Sequence, residues 1–362
     1  MAVDFLIIGQ GLSGTVLAQT IESKSLTYHL IDRNEKITSS KVAAGIMQPI
    51  SFKRCILSWR GEEFFNFSNS FYLKSEKLFN TKSYKKLKLV RLFSSFEEQN
   101  NWMGKSTNPI YSPILGTENS YLKNICNDFG NSQVKTCAQL NVKKYIEDAR
   151  HYFLSKGRLS NEEFKESNLE YNGELFTYNG ITSKRIIMCQ GVNSQNNKIF
   201  DYLPIIPNKG ELIDISTNKL PNFMLSKGVF TVPIKENKFR LGSTYNHEDI
   251  IAKTTLKAKN ELLNGLNKIT PIKDLNIIEH KFGFRPTTID RKPTIGAHPE
   301  IKNMYIFNGM GSKGVLMAPL LSKELLEHIL RRSEINSNVN VNRFFKKYSL
   351  EHSNYAKNLF NF

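Results

Sequence analysis

No stretch of this sequence is apolar for long enough to cross a bilayer. Its longest uninterrupted apolar runs, such as Phe5–Ile8, fall far short of the roughly 20 residues a membrane helix needs. Cysteine is scarce as well. Cys55, Cys126, Cys137 and Cys189 stand far apart with no Cys-x-x-Cys pair, which excludes a small disulfide scaffold, argues against a structural zinc site and suits reduced thiols in a cytosol. The N-terminus carries Asp4 but neither a basic n-region nor a small-residue cleavage site, so no signal peptide is expected and the expected location is cytoplasmic. Internal repeats and low-complexity linkers are missing. So is any Ser/His/Asp constellation: the seven histidines are scattered, and His280 and His298, which flank Arg285, read as plain surface or core residues.

What is present is an ordinary globular composition, 40% hydrophobic and 23% charged over 362 residues, a length that allows about two domains. Basic residues outnumber acidic ones by 50 to 33, a net charge of +17. Such an excess favours a polyanionic partner such as RNA. It equally suits a lysine- and asparagine-rich composition with no partner at all, because the lysines are scattered and only Thr81–Arg91 is locally dense.

The strongest local signal comes first in the chain. Val3–Ile8 is an apolar run of strand length and leads into Gly9-Gln10-Gly11-Leu12-Ser13-Gly14, a helical pattern through Leu17, Ala18 and Ile21, and a second strand, Tyr28–Ile31, ending at Asp32. Within such a β–turn–α–β unit, G-x-G-x-x-G has a physical meaning. Gly9 permits the tight turn, Gly11 lets the backbone approach a pyrophosphate, and Gly14 lets helix and strand pack closely. The helix N-terminus offers unpaired N–H groups to phosphates, and Asp32 is placed to accept from a ribose diol. Glycine-flanked strands of this type recur at Arg185–Cys189, before Gly191, and at Met304–Phe307, before Gly309-Met310-Gly311-Ser312-Lys313-Gly314 and an amphipathic helix over Val315–Arg332. Between them the pattern predicts helices over Glu62–Leu78, Val142–Phe153 and Ala258–Leu266. Strand-like pieces fall around Phe164, Leu169–Tyr171 and Leu175–Tyr178, and antiparallel strands are expected at Leu212–Ile215, Val229–Val232 and Phe239–Gly242.

Three motifs together carry a resemblance. The first is the Gly9–Asp32 fingerprint, the second the small-residue loop Ser39-Ser40-Lys41-Val42-Ala43-Ala44-Gly45-Ile46. The third is Phe282-Gly283-Phe284-Arg285-Pro286 through Asp290, Pro293 and Gly296, followed by the Gly309–Gly314 loop. Over nearly its whole length the chain resembles the flavin-dependent amine and amino-acid oxidases of the D-amino-acid oxidase superfamily, the glycine oxidase and sarcosine oxidase branch above all. The resemblance implies an α/β protein in which a Rossmann-like FAD-binding domain (1–51, 140–203 and 286–362) is interleaved with an α+β substrate domain built on an antiparallel sheet (52–139 and 204–285). It further implies FAD contacts from Gly9, Gly11, Leu12, Ser13, Gly14, Asp32 and Arg33, from Ser39, Ser40, Ala43, Ala44, Gly45 and Ile46, from Phe164 and Gly191, and from Gly309, Gly311, Ser312, Lys313, Gly314 and Val315. No cysteine lies near the Arg285 segment, where some relatives attach the flavin, so non-covalent FAD is expected.

The chemistry so implied is oxidation of a C–N bond: hydride passes from the substrate's α-carbon to the flavin, the imine hydrolyses, and oxygen or another acceptor takes the electrons. No acid–base residue is singled out, since such chemistry rests on positioning and the cofactor. Arg285 is expected to fork onto the substrate carboxylate. Where glycine oxidases carry a tyrosine that assists, this chain has Phe230 in Val229–Pro233, a departure that sets glycine aside as the assumed substrate. Tyr245 is a candidate to supply the missing hydroxyl or to pack as an aromatic ring. Two substrate classes stay open. One is a small amine or amino acid. The other is a carboxymethylaminomethyl group on the wobble uridine of tRNA, because the oxidase half of a tRNA-modifying enzyme shares the superfamily and the patterns at Gly242–Tyr245 and Gly311–Leu321.

Overall fold

The computed structural model describes residues 1–345 apart from Lys53, Asn197 and Lys273; the last part of the expected FAD-binding segment, 346–362, lies outside the described residues. Ala2–Ile8 pairs in parallel with Tyr28–Ile31 on one side and with Ile181–Met188 on the other. Met304–Asn308 extends the parallel set beside Ile181–Met188. These strands read as continuous apolar runs because both faces of the sheet are covered. On one face lie the helices Leu12–Glu22, Val142–Ser155 and Gly314–Arg331, burying Val16, Leu17, Ile146, Phe153, Leu321 and Leu325. On the other face, Leu6 and Ile8 pack in a separate core cluster with Phe176, Tyr178, Phe200 and Tyr202. The helix Gly61–Leu78 docks on Gly314–Arg331, where Ser68 Oγ and Tyr72 Oη donate to the carbonyls of Leu316 and Val315 at 2.7 and 2.8 Å.

A second sheet of seven strands runs in the order Asn276–Thr288, Ile205–Ser216, Lys238–Gly242, Val229–Lys235, Met224–Lys227, Leu89–Leu92 and Asn131–Val134. It is antiparallel except where Met224–Lys227 meets Leu89–Leu92. Its backbone is the long pair Ile205–Ser216 and Asn276–Thr288, in a register that sets Asn208 opposite Arg285 and Gly210 opposite Gly283. The helix Leu256–Asn267 covers part of this sheet through Leu262 and Leu266, against Ile213, Ile215 and Leu241. The strand Asn276–Thr288 runs unbroken through the expected domain boundary after Arg285.

Some local expectations change. Phe164 lies in a loop rather than a strand, its ring stacked on Tyr178 with centroids 5.0 Å apart. The glycine turn after Cys189 is a short 3₁₀ helix, Gly191–Asn196. The basic run Thr81–Arg91 holds two strands, Tyr84–Lys86 and Leu89–Leu92. There Lys82, Lys85, Lys86 and Lys88 face solvent while Leu87 and Leu89 are buried, so its density of charge is a solvated face on an apolar layer.

Candidate active site

One elongated cavity of about 880 Å³ runs between the two sheets, within the span of roughly 300–1,000 Å³ common for cofactor and small-molecule sites. At one end it is walled by Asp32, Arg33, Glu163 and Phe164; it passes Gly9–Ser13 and Ser39–Ile46; at the other end stand Phe230, Ser243, Tyr245, Arg285, Met310 and Gly311. Of the residues expected to hold cofactor or substrate, all line this cavity except Gly14, Gly309 and Lys313. Each exception has a structural reason. A Cβ on Gly14 would lie 1.8 Å from the carbonyl oxygen of Gly9, so this glycine seats the helix on the strand. Gly309, at φ +72°, packs against Thr288 and Thr294. Lys313 turns its ammonium inward to Ser58 Oγ, and burial pushes its pKa down to about 8.

The fingerprint end is backbone. Gly9 has φ +100°, and a Cβ there would meet the Cys189 carbonyl at 2.6 Å. Gly45, at φ +70°, is pressed so closely on Leu140 that a Cβ would lie 1.8 Å from its carbonyl oxygen. Ser40 Oγ accepts from the N–H of Leu12 at 3.1 Å, which ties the small-residue loop to the first turn of the helix. Asp32 is oriented from both sides: one oxygen accepts from Gln10 N–H at 2.9 Å, the other from Asn34 N–H and Arg150 Nη1 at 2.8 Å each. Arg150 also donates to Gln10 Oε1 at 3.0 Å. Sequence reasoning missed Arg150, although its signal was available: it occupies the apolar stripe of its helix with Tyr145, Ile146, Ala149 and Phe153. Asn308, also missed, donates to the Gly191 carbonyl at 2.8 Å and joins two glycine turns.

The other end is side chain. The Arg285 guanidinium lies flat over Gly210, where a Cβ would sit 2.2–2.4 Å from it. Glycine inside a strand often marks such a close approach, and here it makes room for the arginine. Nη1 donates to Asn208 Oδ1 at 3.0 Å and to the Thr244 carbonyl at 3.2 Å; Nη2 donates to Ser243 Oγ at 2.9 Å. The Tyr245 ring stacks on the guanidinium, its centroid 4.2 Å from Cζ. Tyr245 is 63% exposed, so it packs at the cavity mouth and is not a buried aromatic. All three acceptors are neutral, and among the described residues no carboxylate pairs with Arg285. Burial accordingly pulls the guanidinium below its ordinary pKa. A guanidinium has five N–H donors; three are used, which leaves two without a protein acceptor among the described residues. Phe230 lines this end with no hydroxyl to offer.

Arg240 joins the seven-stranded sheet to the small-residue loop. Its Nη1 donates to the carbonyls of Val42 and Ala43, each at 3.3 Å, while Nε and Nη2 grip Asp214 at 2.8 and 2.9 Å. Lys281 adds a third contact to Asp214 at 2.9 Å. Burial works to raise the Asp214 carboxyl, but hydrogen bonds and charge from Arg240 and Lys281 outweigh it and hold the group below its ordinary value. Among the described residues no group of side chains is arranged to hold a metal ion, and no helix is long and apolar enough to cross a membrane.

The sequence model of the family described as FAD dependent oxidoreductase matches residues 4–328. Glycine oxidase of Pseudomonas aeruginosa is 26% identical over 136 residues, 37% of this chain and 37% of that protein. The tRNA 5-methylaminomethyl-2-thiouridine biosynthesis bifunctional protein of Marinobacter nauticus is 25% identical over 145 residues, 36% of this chain and 23% of that protein. The chain thus spans little more than a third of the first relative's length and under a quarter of the second's. The crystal structure of iminodiacetate oxidase from a Chelativorans species shares the fold, with a TM-score of 0.74 at 16% identity, covering 93% of this chain and 99% of that one.

Proposed function

The chain belongs to the family of FAD-dependent oxidoreductases, and from that premise we propose that it oxidises a C–N bond in a small amine or amino acid bearing a carboxylate. The observation that carries this reading is Arg285, a half-buried guanidinium on the cavity wall with neutral acceptors and two N–H groups unclaimed among the described residues. Two N–H groups match the two oxygens of a carboxylate, and a charge-assisted fork is among the stronger polar contacts available to a protein.

The cavity fits FAD on its own geometry, since glycines without room for a Cβ bring backbone to its wall. Gly9, Gly11, Leu12 and Ser13 would face the pyrophosphate at the helix N-terminus. Asp32, held by Arg150 and Gln10, would take the ribose. Ser39–Ile46 and Gly311–Val315 would hold the ring system, with Phe164, Arg33 and Gly191 toward the adenosine. On this reading, 1–51, 140–203 and 286–362 serve the cofactor, and 52–139 and 204–285 serve the substrate. Of the four cysteines, Cys189 lines the cavity at the fingerprint end and none stands in the Arg285 segment; FAD held without a covalent bond is part of the proposal. When bound, the flavin supplies a two-electron acceptor. The chain's own part at the Arg285 end is to bind and orient. Among the described residues lining that end there is no Asp, Glu or His, so neither carboxylate nor imidazole moves a proton there.

The +17 charge favours a tRNA-borne carboxymethylamino group as a second substrate class. The charged residues lining the cavity weigh on the other side: Asp32, Glu35, Glu162, Glu163 and Glu166 against Arg33, Lys41, Lys165 and Arg285. Anaerobic addition of amines, amino acids and bulk tRNA to the yellow holoenzyme decides between them. Bleaching of the flavin by a small carboxylated amine supports the first class, and bleaching by tRNA alone replaces it with the second. Bleaching by none of them overturns the proposal. Readmitting air to the bleached enzyme then tests oxygen as the acceptor.

A further inference from the structure

Behind the strand Ile205–Ser216 lies a cluster of buried charges for which the proposed function has no use. Asn208 and Gly210 meet Arg285, so strand alternation sends Lys209 and Glu211 to the opposite face, where they are 1% and 2% exposed. Lys209 Nζ donates to Asp249 Oδ2 at 2.6 Å and stands 3.5 Å from Glu211 Oε1. Glu211 in turn accepts from the N–H and the hydroxyl of Thr255, both at 2.9 Å.

Glu211 also stands 2.8 Å from His280 Nε2, and Lys209 Nζ lies over the Phe282 ring, both on the neighbouring strand Asn276–Thr288; the contacts to Asp249 and Thr255 reach the loop 243–255. Its first part is bound to the same strand through backbone: Lys209 and Asn246 exchange N–H···O bonds at 2.8 and 2.9 Å, and Glu211 N–H donates to Thr244 Oγ1 at 2.9 Å. The loop is thereby fastened at its start, middle and end. Its other side is the wall around Arg285, since Ser243 and Thr244 accept from the guanidinium and Tyr245 stacks on it. Buried ion pairs add little net stability over apolar packing of similar volume, because desolvation consumes most of their attraction. What such a pair does supply is one defined arrangement, here of a loop whose outer residues Ile250 and Ile251 are 73% and 57% exposed and make a poor anchor.

We propose that Lys209, Glu211 and Asp249 are positioning residues that clasp loop 243–255 to the strand and so keep Arg285 in the geometry that receives a carboxylate. The inference rests on the reading of Arg285 given above, and its test separates the two. The probe is acetate, titrated into the FAD-loaded enzyme and followed by perturbation of the flavin absorbance. Asp249→Asn should raise the acetate Kd roughly tenfold, the scale of loss that misplacing a binding group produces. The KM for the carboxylated substrate should rise with it while kcat and the FAD Kd stay within about twofold. Asp249→Glu, which keeps the charge for Lys209, should restore most of the affinity. Lys209→Met probes the buried side; if that chain does not fold, the two Asp249 variants decide. Unchanged acetate binding in Asp249→Asn, beside a loss of about ten- to a hundredfold in Arg285→Ala, overturns the clasp and leaves the reading of Arg285 standing. A parallel weakening of FAD by Asp249→Asn shows a general role in the fold and also overturns it. Acetate binding indifferent to Arg285→Ala removes the carboxylate site itself, and the clasp with it.

Discussion

The two ends of the cavity are built from different parts of the chain in a literal sense. At the fingerprint end the wall is main chain: Gly9 and Gly45 sit at positive φ, and a Cβ on either would strike a carbonyl oxygen. At the Arg285 end the wall is largely side chain, and Gly210 there makes room for a guanidinium rather than a ligand. A backbone wall has no spare coordinate. A side-chain wall can shift by a rotamer, and so it is held by neighbours: Asn208, Ser243 and Thr244 directly, the loop 243–255 one step further out. Substitutions at the first end should therefore act on cofactor and fold together, and those at the second on substrate alone.

The largest break is expected at Gly14. Gly14→Ala forces a Cβ to within 1.8 Å of the Gly9 carbonyl, and backbone on both sides must move, at a cost on the order of 3 kcal/mol or more. The purified protein should carry little flavin, read from the ratio of visible to ultraviolet absorbance; full flavin content would show that the turn is not a backbone-limited site. Arg285→Ala comes next. It should leave the flavin spectrum intact and raise KM about ten- to a hundredfold, the loss of one charge-assisted contact worth about 1.5–3 kcal/mol. Arg285→Lys should recover only part, because an ammonium cannot fork. Wild-type kinetics in Arg285→Ala would mean that the arginine is structural.

Gly210→Ala sharpens the contrast, since it adds the same atom as Gly14→Ala but against the free end of a side chain. FAD content should be normal, with KM raised roughly tenfold as the guanidinium is pushed aside; a colourless protein would erase the distinction between the two ends. Arg240→Ala, where the seven-stranded sheet meets the small-residue loop, should weaken FAD about tenfold or less, the worth of modest hydrogen bonds at about 0.5–1.5 kcal/mol, as measured by titrating FAD into the stripped protein. The smallest effect belongs to Asp214. Its carboxyl is held below the ordinary value of 3.8 by Arg240 and Lys281 against the effect of burial. Its contribution is thus complete above that pH and is lost as pH falls through the depressed folded value. Stability of the wild type relative to Asp214→Asn should be flat at neutral pH and shrink only below about pH 4, as followed by denaturant melts; a difference that shrinks near neutrality would contradict the sign.

How much could be read in advance differs between the ends for the same reason. Gly9, Gly11, Gly14 and Asp32 are legible because a tight turn, a helix start and a following strand fall within one short local unit, and at Gly9 and Gly14 a Cβ would strike a carbonyl oxygen. Arg285 was marked by resemblance, and nothing within its own segment says what surrounds it. Its acceptors Asn208, Ser243 and Thr244 come from segments 41 to 77 residues away. The same is true of Arg150 on Asp32, 118 residues distant. Lys313 shows the converse: its motif placed it with the cofactor loop, yet the packing of Ser58 against that loop drew the ammonium inside.

By itself, then, the amino-acid sequence determined the parallel strands, the helices that cover them and the glycine turns at their ends. Apolar periodicity and the absence of a Cβ act within a few residues of where they are written. Only the tertiary structure decided that the guanidinium of Arg285 lies over Gly210 with two donors to spare, that Arg240 ties Val42 and Ala43 to Asp214, and that a buried lysine fastens the loop beside the site. Those arrangements depend on the register of Ile205–Ser216 with Asn276–Thr288, and a shift of one residue there would turn Arg285 to the opposite face.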